Sequence, residues 1–147
     1  MTTHTCDYRI LYRDTDTMGV LYYGRYLELF ELGRTEWQRA EGLKYREMEK
    51  LDGLMFPVIE AGCQYQRPLP FDELAVISTQ VATWTPTRLG FSHEIHRSSD
   101  GILCATGFVT LGCVRSSDWR PKAMPPRYLE LLGAKFADLR VKNRLSS

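Results

Sequence analysis

One long helical period, followed by nothing but strands, turns and short helical pieces, restricts the folds open to this chain. Residues 22–41 place Tyr23, Tyr26, Leu27, Phe30, Gly33, Trp37 and Ala40 close to a 3.6-residue repeat. Glu28, Arg34, Glu36, Gln38 and Arg39 fall opposite, Glu31 and Arg34 are spaced to pair, and Gly42 supplies a stop. A helix this rich in bulky apolar groups is expected to be largely enclosed. A curved antiparallel sheet can supply the enclosing surface.

The strands follow from the spacing of apolar and turn-forming residues. Residues 5–12 read as a first strand, and 44–51 as a short second helix. Residues 55–66, 74–84, 88–97 and 102–115 read as four further strands. They are separated by the Pro68/Pro70 turn, by Thr85-Pro86-Thr87 and by Ser98-Ser99-Asp100-Gly101, a hairpin signal. In the last strand Leu103, Ala105, Val109 and Leu111 form the more apolar face. Pro125-Pro126 opens a C-terminal helix over Arg127 to Leu132, with Gly133 as its stop. The basic tail from 134, with Lys135, Arg140, Lys142 and Arg144, is expected to be solvated. The fold class is thus α+β, a five-stranded antiparallel sheet around one long helix. The chain is read as one domain over 1–147, with its core at about 5–132. Nothing in such a domain remains to cover the outer face of the sheet, so self-association through that face or an edge is expected.

Composition excludes several classes of partner. Net charge is +1 over 147 residues, which offers no general attraction to nucleic acid or to a membrane surface. No apolar run reaches the length of a membrane helix, and MTTHTCDYRI does not read as a secretory leader, so a cytoplasmic location is expected. Cys6, Cys63, Cys104 and Cys113 lack metal or redox spacing and read as reduced, mostly buried thiols. His93 and His96 would point to opposite faces of a strand and make no metal pair. There is no G-x-S-x-G elbow and no Gly-rich phosphate loop.

The chemistry concentrates in residues 14–26. Asp14-Thr15-Asp16-Thr17-Met18-Gly19 is a polar loop running into the start of the long helix. Helix N-termini present unpaired N–H donors and a positive partial charge. They can polarise a carbonyl that a neighbouring carboxylate, or water activated by it, attacks. On pattern alone either aspartate could order a turn or cap the helix; Asp14 reads as structural, and a reacting role is open for Asp16. A calcium loop fails because the twelfth position from Asp14 is Arg25, not a bidentate Glu. Tyr22 and Tyr23 read either as pocket lining or as core, and Tyr26 as core. Met18 belongs with the candidate pocket, and Arg88 reads either as a contact for coenzyme A phosphates or as a plain surface arginine.

These residues carry a resemblance. The stretch from Tyr12 to Trp37 resembles the start of the 4-hydroxybenzoyl-CoA thioesterase family of hotdog-fold proteins. The similarity extends to acyl-CoA thioesterases associated with the Tol-Pal gene cluster. The pattern is an acidic D-x-D-x-x-G loop, an aromatic run, then N/R-Y-L and F-E-x-x-R-x-E. Here it reads Asp14, Asp16, Gly19, Tyr22-Tyr23, Arg25-Tyr26-Leu27, Phe30-Glu31, Arg34 and Glu36. F-P-V at 56–58, Tyr65, R-P-L at 67–69, D-E-L at 72–74 and Arg120-Pro121-Lys122 extend it. The chain departs in having Tyr23-Gly24-Arg25-Tyr26 where many relatives place a His before an Asn-Tyr pair, so Asp16 has no His partner in the motif.

The resemblance implies an acyl-CoA thioesterase with Asp16 as general base or nucleophile, the Tyr23 backbone N–H as oxyanion donor, and Gly19 in the catalytic loop. It implies a pocket between subunits of a homodimer or homotetramer. No metal or redox cofactor is expected, coenzyme A being part of the substrate. A non-catalytic acyl-CoA or acyl-carrier binding module on the same scaffold is the alternative. A dehydratase would need a His near the central helix, and none is there.

Overall fold

The computed structural model describes residues 3–142. In β1 (His4–Arg9), β3 (Val58–Tyr65), β4 (Leu74–Thr85), β5 (Arg88–Arg97) and β6 (Leu103–Gly112) the chain forms one sheet of order β1-β4-β5-β6-β3. Every pairing is antiparallel, which leaves β1 and β3 as its edges. The helix α1 (Arg25–Ala40) lies across the inner face. The segment α2 (Tyr45–Glu47) runs into a π-turn at Met48–Asp52. A small second sheet pairs β2 (Leu54–Met55) with β7 (Val114–Arg115), and α3 (Pro126–Lys135) follows. The long helix and the five antiparallel strands are those read from the sequence. No helix among the described residues is long and apolar enough to cross a membrane.

Strand alternation decides what meets the helix. In β4, Ala75, Ile77, Thr79 and Val81 are buried, and in β5 Leu89, Phe91, His93 and Ile95. They meet Tyr26, Leu29, Phe30, Gly33 and Trp37 of α1. Two glycines allow the layers to come this close. A Cβ on Gly33 would run into the Thr79 hydroxyl and stand 2.9 Å from Ile77. A Cβ on Gly107 would occupy the place of the Phe30 ring and stand 2.7 Å from the Gly62 carbonyl oxygen.

Tertiary packing corrects several expectations. The buried stripe of α1 is rotated: Tyr23, Leu27 and Ala40 are exposed, whereas Leu29 and Gln38 are buried. Gln38 tolerates burial because its amide donates to the Tyr128 hydroxyl at 2.8 Å, tying α1 to α3. Glu31 and Arg34 form no ion pair; the helix pairs are Arg25–Glu28 and Arg39–Glu36. The first strand ends at Arg9 because Tyr12–Asp14 turns into a 3-10 helix. Segments 55–66 and 102–115 each break near Pro57 and Cys113, feeding the small sheet. Gly133 does not stop α3, which continues to Lys135 and buries Leu132 and, beyond it, Phe136.

The basic side chains Lys135, Arg140 and Lys142 are exposed, as expected, but Phe136 and the chain up to Val141 pack back onto Trp84. The Trp84 indole donates to the Phe136 carbonyl at 2.7 Å, Val141 N–H donates to the Trp84 carbonyl at 2.9 Å, and the Arg140 guanidinium lies 5.3 Å from the Trp84 ring. Arg144 lies outside the described residues. The outer face of the sheet carries Ser78, Gln80, Ser92, Glu94 and Thr106 around a shallow depression of about 280 Å³. These side chains are polar, while Phe108, paired with Ser92 on the same face, is 42% exposed.

Contrary to the expectation that no histidine lies near the central helix, His93 sits in the core between α1 and the sheet. Its ring stacks on Phe30 at 4.7 Å, and Nδ1 hydrogen-bonds the Thr79 hydroxyl at 3.0 Å. Nε2 has no partner among the described residues. Burial, and then the Arg34 charge, push its pKa down to about 3. The folded state therefore holds a neutral imidazole, while the unfolded chain takes up a proton below about pH 6.5. No stability is lost from this source above that pH. Below it the loss grows as pH falls toward about 3, reaching about 2 kcal/mol at pH 5. Urea unfolding of the wild type and of His93→Phe at pH 7.5 and pH 5 checks this: the variant should show the smaller acid-dependent loss, and equal losses would refute it.

Candidate active site

The loop before α1 is pinned to the turn that precedes β4. Leu21 N–H donates to Leu69 O at 2.7 Å, Phe71 N–H donates to Gly19 O at 3.1 Å, and Val20 bridges to Pro70. Within the loop, Gly19 N–H donates to Asp16 O and Asp16 N–H to Val20 O, each at 3.0 Å. Gly19 closes this turn at φ 78°, a conformation that costs glycine little. Its N–H is used within the turn, so in this structure Gly19 shapes the loop.

The two aspartates separate cleanly. Asp14 is buried, and its Oδ2 accepts from the Tyr8 hydroxyl and from Leu11 N–H, both at 2.8 Å. The Arg25 guanidinium stands 3.9 Å from its other oxygen. Burial and then this carboxylate raise the Tyr8 phenol. Asp14 thus holds the chain entry together. Asp16 is half-buried, and only Oδ1 is engaged, accepting Met18 N–H at 2.8 Å. Its Oδ2 has no partner among the described residues. A carboxylate fixed by one oxygen and open at the other is suited to accept a proton or attack a carbon.

The helix start supplies the complementary charge. Arg25 N–H donates to Tyr22 O at 2.9 Å and Tyr26 N–H to Tyr23 O at 3.4 Å, so residues 23–25 already wind helically. The N–H groups of Tyr23 and Gly24, at the start of α1, have no partner among the described residues. The Tyr65 hydroxyl, from the end of β3, donates to Tyr23 O at 2.9 Å. Its ring meets Tyr26 edge-on at 4.8 Å and Tyr23 at 6.4 Å. Burial raises the Tyr26 phenol to about 12, with smaller contributions from Cys104, Cys63, Tyr65 and Asp16. Asp16 N–H donates to Val20 O at 3.0 Å and Thr15 bridges to Leu21, so the Asp16 loop folds back onto the residues just before α1.

Of the residues singled out from sequence, Asp16, Met18, Gly19, Tyr22 and Tyr23 gather here. Met18, Tyr22 and Tyr23 are all exposed, so in one chain they rim an open surface. A groove of about 240 Å³ lies on the Asp14 side of α1, between Tyr8, Leu21, Arg25, Glu28, Leu29 and Leu32. Arg88 is not part of the cluster. It begins β5, whose other end, Arg97, donates to Pro68 O at 3.1 Å beside the loop. Nine residue-to-residue steps along the strand separate the two ends by about 30 Å. Tyr65, quoted in the sequence motif without a role, is the site residue that pattern reading missed. Only the sheet order, which brings the end of β3 to the helix start, reveals it. Among the described residues no group of three or more His, Cys, Asp or Glu is placed to hold a metal ion.

Comparison with known proteins places this geometry in a family. Residues 10–132 match the profile of the Thioesterase-like superfamily. The chain is similar to the "Putative acyl-CoA thioesterase YneP" of Bacillus subtilis, 30% identical over 79% of this chain and 86% of that one. It is also similar to the "Acyl-CoA thioesterase YbgC" of Haemophilus influenzae, 28% identical over 80% and 85%. Among solved structures, a DHNA-CoA thioesterase from Staphylococcus aureus superposes with a TM-score of 0.80 at 28% identity, covering 94% of this chain and 86% of that one. With its helix laid across a five-stranded antiparallel sheet and the family profile matched from residue 10 to residue 132, the chain belongs to the thioesterase-like superfamily of hotdog-fold proteins.

Proposed function

We propose that this protein is an acyl-CoA thioesterase, hydrolysing R–CO–S–CoA to a carboxylate and free coenzyme A. One observation carries the reading: a half-buried carboxylate with a free oxygen, Asp16, in the same corner as two unpaired amides at the start of α1. In this reading the thioester oxygen accepts from the Tyr23 and Gly24 N–H groups, which stabilise the charge it gains in the transition state. Asp16 takes a proton from water as the water oxygen bonds to the carbonyl carbon; the tetrahedral intermediate collapses, the C–S bond breaks, and the thiolate leaves. Direct attack by Asp16 would give a mixed anhydride that water then opens. Both routes consume one water and need no metal or redox cofactor.

A second copy of the chain completes the reading. Edge strand β3 leaves its outer side unpaired and exposes Val58, Ile59 and Tyr65. Pairing of this edge with itself would cover those side chains and wall the open site. The reading includes a cytoplasmic location, which the four unpaired cysteines support. The test is a thiol-release assay over short, long and aromatic acyl-CoAs, on protein whose mass has been measured by sedimentation. Saturable release from at least one class is expected from a dimer or larger species. Ligand binding without release would overturn hydrolysis, and a single-chain mass would overturn the self-association.

A further inference from the structure

The hydrogen bond from Tyr65 to the Tyr23 carbonyl lies on the peptide that carries the Gly24 N–H. Peptide units are planar and trans, and no described residue has a cis bond, so the two groups of that unit point in opposite directions. Holding the carbonyl oxygen therefore fixes the direction of the N–H. A donor on the oxygen also polarises the unit and strengthens its N–H as a donor, by about 10–30% per bond in such chains. The neighbouring peptide, which carries the Tyr23 N–H, is held differently: its carbonyl accepts only from Arg25 N–H within the helix turn. The Tyr23 carbonyl, by contrast, has a long contact from Tyr26 N–H at 3.4 Å and a short one from Tyr65 at 2.9 Å. Without Tyr65 that peptide would be held by the weaker of the two bonds.

We propose that Tyr65 is a positioning residue: through the Tyr23 carbonyl it sets the Gly24 N–H beside the Tyr23 N–H, making Gly24 the second donor to the thioester oxygen. Its ring, edge-on to Tyr26, holds the hydroxyl in place, and its position on edge strand β3 couples the sheet edge to the oxyanion site. This inference rests on the thioesterase reading and concerns a residue that does not itself touch the substrate. Since Tyr65 is 48% exposed and its ring is retained in phenylalanine, Tyr65→Phe should fold.

The experiment uses the acyl-CoA turned over fastest in the thiol-release assay, labelled with carbon-13 at its carbonyl. In Tyr65→Phe, kcat should fall about tenfold while KM and the melting temperature stay close to wild type; complete loss of one donor costs about 10²–10³. In the Asp16→Asn background, where bound substrate persists, adding Tyr65→Phe should move the carbonyl stretch of the ligand to higher wavenumber, reporting a weaker hydrogen bond. An unchanged kcat, or an unchanged carbonyl frequency, would overturn the proposal. So would a fall in activity matched by a fall in melting temperature with the frequency unmoved. Absence of thiol release from the wild type is a separate outcome, which overturns the thioesterase reading itself.

Discussion

Asp16→Asn is expected to lower kcat about 10³-fold, with little change in stability or in KM. Asparagine has the size of aspartate, and its Oδ1 can still accept the Met18 N–H that Asp16 Oδ1 accepts at 2.8 Å. The turn closed by Gly19 therefore survives, and the unfolding free energy should stay within about 0.5 kcal/mol of wild type. The negative charge is lost, along with the free oxygen that could take a proton from water or bond to the carbonyl carbon. The neutral amide does neither at a useful rate. Thiol release, measured alongside a thermal melt, separates the two effects. Turnover at the wild-type rate across all acyl-CoA classes would remove Asp16 from the mechanism. Lost turnover with a strongly lowered melting point would return Asp16 to the structural role that Asp14 fills.

The largest effect on stability is expected at Gly107. Alanine there would put a methyl group where the buried Phe30 ring lies, 2.7 Å from the Gly62 carbonyl oxygen. Phe30 cannot simply swing away, because its other face stacks on His93 at 4.7 Å. Either α1 lifts from the sheet or β3 shifts against β6, and overpacking of this kind costs about 3 kcal/mol. Phe30→Leu made in the same chain removes the ring that the methyl strikes. The pair should then be less destabilised than the sum of the two single changes, by about 1 kcal/mol. Urea unfolding of the four proteins in the cycle measures this. A loss below about 1 kcal/mol for Gly107→Ala, or strict additivity, would mean that the helix is not seated on that glycine.

How far the fold could be read in advance depended on how local its causes are. The long helix, read over 22–41 and found at Arg25–Ala40, the strand at 88–97 and the hairpin at Asp100-Gly101 follow from nearest-neighbour periodicity and turn chemistry. The inward face of β6, with Ala105, Val109 and Leu111 buried, follows from simple alternation. The rotation of the buried stripe of α1 does not. Gln38 is inside only because Tyr128, ninety residues later, offers its hydroxyl, and Tyr23 is outside only because the helix start faces an open rim.

The site divides along the same line. A carboxylate in a glycine-closed turn before a helix is a sequence-local device, since its parts lie within eight residues of one another and depend on hydrogen bonds along the chain. That Asp16, Met18, Gly19, Tyr22 and Tyr23 lie together before the helix was therefore legible in the sequence, while their roles in catalysis are implied by the resemblance and proposed here. Folding in three dimensions decided the rest. It sent Arg88 to the far end of a ten-residue strand, and brought Tyr65 from an edge strand onto the carbonyl of Tyr23. Strand order and direction determine which ends meet, and those are set by the packing of the whole sheet around α1 rather than by any stretch of residues taken alone.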